Sequence, residues 1–370
     1  MIKHTLLLLG VVPLFFTSVY GQEAPVKLGV VGLTHTHVHW IFNSATQKEF
    51  EIVGIVEPNK ALAKRYADQY AFSMDMVYDT LEEMIAAKQP TGVTAFGTIY
   101  DHLRIVEICA PAGIHVMVEK PLAVSLAHAQ KMKSLAQQYG IHLLTNYETT
   151  WYPTNHKAFE LVKQDTVIGD LRKVVLRYGH KGPKKIDVDK EFLEWLTDPV
   201  LNGGGAITDF GCYGANLLTW MKEGQKPTHV TAITLQQQPE NNPKVDDEAI
   251  LLLTYEDGTV GVIHASWNWP IGRKDMEIYG LKGAIYADNR HDVRVRMATG
   301  YDTFTEEQET LPELESPYND PFVYFAAMIN GEITAVDYDL SSLENNMIVM
   351  EILDAAIESS TLQQTVALKK

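Results

Sequence analysis

The chain has 370 residues, of which 46% are hydrophobic and 21% charged. This composition is that of a folded globular protein and excludes an intrinsically disordered one, and the length allows two domains with cores of their own. With 47 acidic against 31 basic residues the net charge is −16, so a nucleic acid would be repelled and is not an expected partner. Cys109 and Cys212 lie in helix-like patterns, and we expect two buried free thiols.

The first residues are typical of an export signal. One lysine precedes an apolar run at 6–16, and small or modest side chains follow as far as Gly21. A signal peptidase reads this order of charge, apolar run and small residues, so we expect residues 1–21 to be removed and the mature protein to be periplasmic or secreted. The apolar run is too short for a stable membrane anchor, and no later stretch is long enough.

Residues 22–148 alternate short apolar runs with helical patterns. The strand-like runs are 27–32, 51–56, 93–96, 115–119 and 141–146. Helices between them are predicted at 36–45, after Asn59 as a cap, after a capping box of Thr80 and Glu83, and at 125–139 before Gly140. Strand and helix in repetition predict a doubly wound parallel sheet, the Rossmann type of α/β domain.

Residues 149–370 have a different pattern, with helices first and strands later. Helices are predicted at 155–163, 205–221, 321–329 and 342–359, and strands at 173–178, 229–235, 249–255, 259–267, 276–279, 284–287 and 293–297. Asp257-Gly258 and Lys282-Gly283 are typical of hairpin turns. We expect an α+β domain with an open, mostly antiparallel sheet covered on one face. Whether a C-terminal helix packs back on the first domain is left open.

The turn after the first strand is a candidate phosphate-binding loop. A G-x-G-x-x-G sequence there lets the backbone approach a pyrophosphate at a helix N-terminus. This chain keeps only Gly32, because Thr34 and His37 stand at the other two glycine positions. Glu57, at the end of the second strand, can accept hydrogen bonds from a ribose and repel a 2′-phosphate, which favours NAD over NADP. A solvated strand-end carboxylate is the alternative interpretation of Glu57.

The same turn contains His35, His37 and His39. On a helix only His35 and His39 would share a face, and no carboxylate or cysteine lies close by in sequence. We therefore expect no metal site. The imidazoles are expected to cap the helix, contact the cofactor or pack against the second domain.

Lys120 follows the strand that ends at Glu119. It would project into the crevice beyond the C-terminal ends of the strands, where ligands bind in such sheets. An ammonium in a partly dry site can donate a proton to a sugar hydroxyl or shuttle it. A lysine after a strand is also often simply solvated. A functional role for Lys120 therefore depends on its combination with Asp209 and Tyr213.

Asp209 and Tyr213 follow three glycines at 203–205. The two residues are one helical turn apart and would face the same way, while the glycines let the helix start approach a ligand. An acid and a phenol aimed at one point form a hydroxyl-orienting and proton-transfer pair. His102, shortly after Thr98, lies just inside another helix; the alternative is a histidine with no role.

Together these segments resemble the Gfo/Idh/MocA (glucose-fructose oxidoreductase / inositol dehydrogenase) family over nearly all of the mature chain. The resemblance rests on the strand-turn-helix at 29–39, the segment 98–102, the E-K-P motif at 119–121, the glycine-led helix with Asp209 and Tyr213, and the tail at 342–368. It implies a Rossmann domain joined to an open sheet whose outer face often forms a dimer. A homo-oligomer is therefore expected.

The resemblance also assigns roles. In that family the lysine of E-K-P, here Lys120, touches the nicotinamide region and the substrate, and Asp209 matches the residue that orients the sugar. Tyr213 stands at the position of the usual acid/base histidine, as in the glucose-fructose oxidoreductase and dihydrodiol dehydrogenase branch. His180 is a further candidate orienting group. The candidate cofactor-binding residues are Gly32, Thr34, His35, His37, Glu57, Thr98, His102, Glu119 and Lys120.

One departure concerns the ligand. Glu148 stands where the family commonly has a cation, so we expect a neutral, hydroxyl-rich ligand, for which Trp151, Tyr152, Trp267 and Trp269 could provide stacking faces. The preferred interpretation is a periplasmic NAD-dependent oxidoreductase acting on a sugar or glycoside hydroxyl, with a tightly held cofactor because export removes it from the free nicotinamide pool. The alternatives are an NAD-dependent glycoside hydrolase on the same scaffold and a non-catalytic sugar-binding protein.

Overall fold

The computed structural model describes residues 24–44, 48–334 and 336–368, which form two sheets with helices around them. The predicted export signal at 1–21 lies outside the described residues. The strands of the first sheet are β1 (Val26–Val31), β2 (Phe50–Val56), β3 (Val77–Tyr78), β4 (Gly92–Ala95), β5 (His115–Glu119) and β6 (Leu143–Asn146). All are parallel, in the order β3-β2-β1-β4-β5-β6, which confirms the predicted doubly wound sheet.

Helices form the crossover connections of this sheet. They are α1 (Val38–Ser44), α2 (Lys60–Tyr70), α3 (Leu81–Lys88), α4 (His102–Cys109) and α5 (Leu126–Tyr139). The predicted caps are present: the Asn59 side chain accepts the amide of Leu62, and Thr80 and Glu83 form the capping box. Gly140 ends α5 in the left-handed conformation, which glycine adopts without steric cost.

The second sheet has nine strands within the described ranges. They are β7 (Leu171–Gly179), β8 (His229–Leu235), β9 (Glu248–Thr254), β10 (Val260–Ser266), β11 (Arg273–Gly280), β12 (Gly283–Ala287), β13 (Asp292–Ala298), β14 (Phe304–Thr310) and β15 (Val366–Ala367). Their order is β14-β13-β12-β11-β7-β10-β9-β8-β15, antiparallel except for the parallel pair of β7 and β10. The prediction of an open, mostly antiparallel sheet is confirmed.

Helices cover one face of the second sheet. The helices of this half of the chain are α6 (Pro153–Lys163), α7 (Lys190–Leu196), α8 (Ala206–Asp209), α9 (Gly211–Met221), α10 (Pro321–Ile329) and α11 (Leu343–Leu362). Along β9, Leu251 and Leu253 are buried on the side of α9 and α11, whereas Ile250 and Leu252 are exposed. This alternation is expected of an antiparallel sheet with one solvated face.

The single helix predicted over 205–221 is wrong, because the helix is interrupted at Phe210. α8 is one turn long, and its first amides donate to the carboxylate of Asp246. The amide of Tyr213 then bonds the carbonyl of Phe210 at 3.2 Å, so α9 begins with a first turn of its own. The carbonyl of Asp209 is left for side chains. Four short elements, β3, α7, β14 and β15, were not predicted at all.

α10 packs on the first sheet, although it lies near the end of the chain. Phe322 contacts Phe50 and Phe96, with ring centroids 6.1 Å apart in both pairs, and Phe325 is fully buried in the same cluster. The segment that follows α10 also reaches β6, where the amide of Thr145 bonds the carbonyl of Ser341 at 3.1 Å.

Within the described residues, no helix combines the length and the apolar character needed to cross a membrane.

Candidate active site

A cleft of about 370 Å³ lies at the C-terminal ends of β1, β2 and β4. Gly32, Thr34, Glu57 and Thr98 line it, so it brings together four of the residues predicted to bind the cofactor. Gly32 has a φ of 81°, and a Cβ there would lie 2.7 Å from the amide nitrogen of Gly97. Only glycine fits where the two loops come this close.

Glu57 is buried at the inner end of this cleft. Its Oε2 accepts the amide of Leu33 at 3.1 Å and its Oε1 the amide of Asn59 at 2.9 Å. Burial raises the pKa of the Glu57 carboxyl. Each oxygen keeps a second lone pair, so ribose hydroxyls can still donate to it. The residues present therefore fit the adenosine half of a dinucleotide.

The loop between β1 and α1 uses most of its amides inside the protein. The amides of Thr34 and His35 both donate to the carbonyl of Phe96, at 3.2 and 2.9 Å, and the amide of His37 donates to Nδ1 of His35 at 3.0 Å. The hydroxyl of Thr36 is buried without a partner among the described residues. A buried polar atom without a partner needs a compensating group, and a pyrophosphate at this helix start would provide one.

Glu119 joins the first two histidines of the loop. Its Oε2 accepts Nδ1–H of His37 at 2.8 Å and lies 3.9 Å from Nε2 of His35, while its Oε1 accepts the amide of Asn146 at 2.8 Å. Burial by itself would raise the pKa of Glu119, but His37 and His35 lower it to about 2. His39 lies apart and is hydrogen-bonded to Tyr70. A carboxylate is thus close in space, although none is close in sequence.

Lys120 and Asp209 form a buried ion pair. The Nζ of Lys120 donates to Oδ1 of Asp209 and, at 3.1 Å, to its carbonyl, and Oδ2 accepts Nε1–H of Trp267 at 2.9 Å. Burial opposes both charges, yet each partner stabilises the other, so the pKa of Asp209 is lowered and that of Lys120 raised. The ammonium has three donors, of which one remains for a ligand.

Tyr213 lies beside this pair. Its ring stacks on Tyr178 at 5.4 Å with an interplanar angle of 10°, and Tyr147 meets it edge-on at 5.4 Å. The Nζ of Lys120 is 4.9 Å from the ring centroid. Burial, followed by the charge of Glu148, raises the pKa of the Tyr213 hydroxyl well above its usual value. That hydroxyl forms no hydrogen bond with any residue that the structure describes.

Glu148 is compensated by a cation that the sequence did not reveal. Its carboxylate accepts from Nζ of Lys274, on β11, and from the hydroxyl of Tyr152. Lys274 also lies 5.4 Å from the ring centroid of Tyr213. The partners are 126 residues apart in sequence, so only the fold brings them together. The local charge is thus balanced.

The three other predicted site residues, His180, Thr98 and His102, differ in their surroundings. Nδ1 of His180 accepts the amide of Gly182 at 2.9 Å, and burial lowers the pKa of this imidazole, so the neutral ring carries its proton on Nε2. Thr98 lines the cleft. His102 does not: it is fully buried and its Nδ1 donates to the carbonyl of Leu122 at 3.1 Å.

The aromatic residues proposed as stacking faces are mostly used by the protein itself. Nε1–H of Trp267 bonds Asp209, and Nε1–H of Trp151 bonds the side chain of Asn146 at 3.0 Å. Both indoles are buried. Trp269, in contrast, lies partly exposed beside Arg273.

A segment of the second half of the chain, residues 189–204, crosses from α2 toward α4 along the edge of the cleft; we call it the crossing segment. The carboxylate of Glu191 accepts hydrogen bonds from the two terminal guanidinium nitrogens of Arg65, on α2, at 3.2 Å each. Nε1–H of Trp195 donates to the Thr34 hydroxyl at 3.1 Å, and at the far end the carbonyl of Leu201 accepts the amide of Tyr100. The segment therefore extends from α2 over the β1 loop to the start of α4. Apart from the glycines at 203 and 204, its sequence carries no motif by which it could have been predicted.

A parallel sheet with a cofactor cleft at its C-terminal edge, joined to an antiparallel sheet whose covering helices α8 and α9 carry Asp209 and Tyr213, defines a two-domain, dinucleotide-binding oxidoreductase. Comparison with known families agrees. The model of an oxidoreductase family with an NAD-binding Rossmann fold matches residues 26–147, and the C-terminal domain model of the same family matches residues 156–286. The chain belongs to the Gfo/Idh/MocA family, which confirms the resemblance and the assignment of NAD.

Individual relatives share about a quarter of their residues with this chain. Trans-1,2-dihydrobenzene-1,2-diol dehydrogenase of Sus scrofa is 27% identical over 262 residues, 70% of this chain and 72% of that protein. The human protein of the same name is 25% identical, over 69% of this chain and 71% of that protein.

Solved structures show the same fold. An inositol dehydrogenase homolog from Azotobacter vinelandii, complexed with NAD+, superposes with a TM-score of 0.80 at 16% identity, over 93% of this chain and 98% of that one. Aldose-aldose oxidoreductase from Caulobacter crescentus gives 0.76 at 20% identity, over 93% of this chain and all (100%) of the other.

Proposed function

We propose that this protein oxidises a hydroxyl group of a sugar or glycoside and keeps its NAD bound between turnovers. The observation that carries the proposal is the buried Lys120–Asp209 pair beside Tyr213, because it leaves one ammonium donor and one phenol hydroxyl without partners among the residues that the structure describes. Both groups suit an alcohol oxygen. The names of relatives, a diol dehydrogenase and an aldose-aldose oxidoreductase, support hydroxyl-bearing substrates.

The roles of these residues follow from their charge states. NAD, when bound, supplies the acceptor for the hydride that leaves the carbon. Lys120, held protonated by Asp209, donates to the substrate oxygen and stabilises negative charge that develops there. Tyr213 exchanges the hydroxyl proton: its high pKa makes it the donor in the reductive direction, and the ammonium 4.9 Å from its ring lowers the cost of the phenolate in the oxidative one.

Retention of the cofactor is supported by the crossing segment. It contacts α2, the β1 loop and the turn before α4, which are three places along the edge of the cleft in which a dinucleotide would lie. These contacts are expected to hold the edge of the cleft closed and so to slow the release of a bound dinucleotide. A retained cofactor also suits an exported protein, which meets no free nicotinamide pool.

The test has two parts. Purified protein is denatured, and the released dinucleotide is identified by mass and quantified by absorbance; about one per chain is expected. The intact protein is then given a panel of sugars and glycosides, and reduced nicotinamide is followed by absorbance, with one reduction per chain expected for a substrate. Protein that arrives empty contradicts retention, and no reduction by any sugar contradicts the substrate class. Release of a free sugar without net reduction would instead indicate NAD-dependent hydrolysis.

We also propose that the protein is exported, on the basis of the sequence at 1–21. Expression of the full chain followed by cell fractionation and N-terminal sequencing should find a mature protein that begins near residue 22 outside the cytoplasm. Protein that keeps Met1 and stays in the cytoplasm would contradict this.

A homo-oligomer is proposed from the open face of the second sheet. Ile233, Leu235, Ile250 and Leu252 expose between 40% and 59% of their surface there, side by side on β8 and β9. Apolar side chains clustered on one face are typical of a subunit interface. Light scattering should give a mass above that of one chain, and Ile250→Glu should lower it; a monomeric wild type would contradict the proposal.

A further inference from the structure

His35, His37 and Glu119 each offer a metal-ligating atom, and the three atoms lie within 4.8 Å of one another. We propose that these residues bind a divalent transition-metal ion of the zinc and cobalt type beside the cofactor cleft. This site does not depend on the proposed oxidation of a sugar. It revises the sequence-based expectation that the histidine run binds no metal.

The donor set suits this class of ion. Two imidazoles and one carboxylate are ligands that zinc and its neighbours accept, at about 2.0–2.2 Å from the metal. Ligand atoms arranged in this way around one ion lie roughly 3–3.5 Å apart. Oε2 of Glu119 lies 2.8 Å from Nδ1 of His37 and 3.9 Å from Nε2 of His35. These two separations bracket the required one, and the third, between the two histidine nitrogens, is within 4.8 Å, so the imidazoles have to rotate toward each other to close the site.

Outer contacts already orient the three ligands. The second oxygen of Glu119 accepts from Asn146 at 2.8 Å, and the ring of His37 stacks on Trp40 at 3.8 Å. His35 lies against Phe192 of the crossing segment at 4.7 Å. The hydrogen bond from Asn146 is of the kind that orients a ligating carboxylate and raises metal affinity, while the two ring contacts hold the imidazoles in place. Three protein ligands leave a fourth position for water, as in zinc sites that are not purely structural.

Proton positions predict a local change on binding. Because Nδ1 of His35 accepts the amide of His37 at 3.0 Å, the neutral ring carries its proton on Nε2, toward Glu119. Coordination through Nε2 moves this proton to Nδ1, so the His37 amide has to turn away at the start of α1. The lost bond joins two neutral groups, and coordination by two imidazoles and a carboxylate outweighs it.

The direct test uses Co²⁺, whose visible absorption reports its coordination. Full-length protein without a histidine tag is stripped with chelator and titrated with Co²⁺, both with and without bound NAD, and the bound metal is counted by mass spectrometry. One Co²⁺ per chain is expected, with an absorption band typical of a low-coordinate site, and Zn²⁺ should displace it. Less than a tenth of an equivalent at saturating Co²⁺ would overturn the proposal.

Variants separate this site from adventitious binding. His37→Ala and Glu119→Gln should each weaken Co²⁺ binding by roughly a hundredfold or more, and Asn146→Ala by about tenfold to a hundredfold. His39→Ala is the matched control: the residue belongs to the same histidine run but bonds Tyr70 instead, so the affinity should not change. Circular dichroism checks that each variant is folded. Binding that survives His37→Ala, or that falls equally in His39→Ala, would overturn the assignment.

Discussion

The ammonium of Lys120 donates to two oxygens of a single residue, the carboxylate and the backbone carbonyl of Asp209. The carbonyl is available because the helix is interrupted at Phe210, and the amide of Tyr213 bonds the carbonyl of Phe210 instead. The break in the helix therefore has two effects. It frees a carbonyl that binds the buried ammonium, and it starts α9 at the point from which Tyr213 reaches the same ammonium.

This relationship predicts the effect of Asp209→Asn. The substitution keeps the shape but leaves the charge of Lys120 buried without its counter-ion, so the free energy of unfolding should fall by about 3–5 kcal/mol, as measured by urea denaturation. Asp257→Asn is the control, since Asp257 also pairs with a buried lysine, Lys222, but is 48% exposed and can be replaced by water. Equal losses of unfolding free energy in the two variants would show that the Lys120–Asp209 pair stabilises the protein no more than an exposed pair does.

Tyr213→Phe should lower kcat by roughly a hundredfold or more while substrate binding persists, because it removes the transferable proton and keeps the ring packing. Steady-state kinetics on an identified substrate provide the measurement. Tyr147→Phe removes a hydroxyl that is buried without a partner among the described residues and should change kcat little. Near-normal turnover of Tyr213→Phe would contradict the proton-transfer role and show that Tyr213 only packs in the site.

Glu57→Ser should relax the preference for NAD over NADP. The carboxylate is positioned at the end of β2 by the amides of Leu33 and Asn59, where it would repel a 2′-phosphate. Without it, the ratio of the two dissociation constants should narrow by about tenfold, or ~1.4 kcal/mol, in binding titrations. Glu82→Ser, at the rim of the same cleft, should leave the ratio unchanged. A wild type that binds both cofactors equally would remove the role assigned to Glu57.

Trp195→Phe should speed the release of bound NAD. It removes the hydrogen bond from the crossing segment to Thr34, worth about 0.5–1.5 kcal/mol, so the dissociation rate should rise roughly twofold to tenfold in a chase experiment. Trp220→Phe, which affects a ring stacked on Phe159 in the second domain, is the control. An unchanged rate in Trp195→Phe would show that the crossing segment does not limit release.

Glu148→Gln should have an effect on stability that depends on pH. Burial opposes the charge of Glu148, but Lys274 lowers its pKa to about 2, below the ordinary value near 4.3. The stabilisation it gives is fully present above that ordinary value and is lost as the pH falls toward 2. The variant should be less stable than wild type by about 1–3 kcal/mol at pH 7, and this difference should narrow progressively in urea titrations at pH 4 and pH 3. A gap that does not vary with pH would contradict this.

The sequence predicted what depends on local pattern. β5 was predicted with its observed bounds, and the caps at Asn59 and Thr80 were recognised, because these features depend on residues within a few positions of one another. The fold class followed from the same kind of evidence, whereas the roles of Lys120 and Tyr213 were implied by the family resemblance.

The parts that were missed depend on packing between distant segments. The approach of Glu119 to His37 joins residues 82 positions apart, and Lys274 reaches Glu148 from another sheet. Asp246, which caps the start of α8 ahead of the break at Phe210, lies on a separate connection 41 residues after Gly205. Periodicity and spacing contain no information about such contacts.

The position of α10 has a consequence for the order in which the protein is built. The first sheet is encoded by residues 26–146, yet one of its faces is completed by Phe322 and Phe325, which emerge from the ribosome much later. Until they arrive, Phe50 and Phe96 lack the partners that exclude water from them. The dinucleotide-binding half therefore cannot finish folding as it is made.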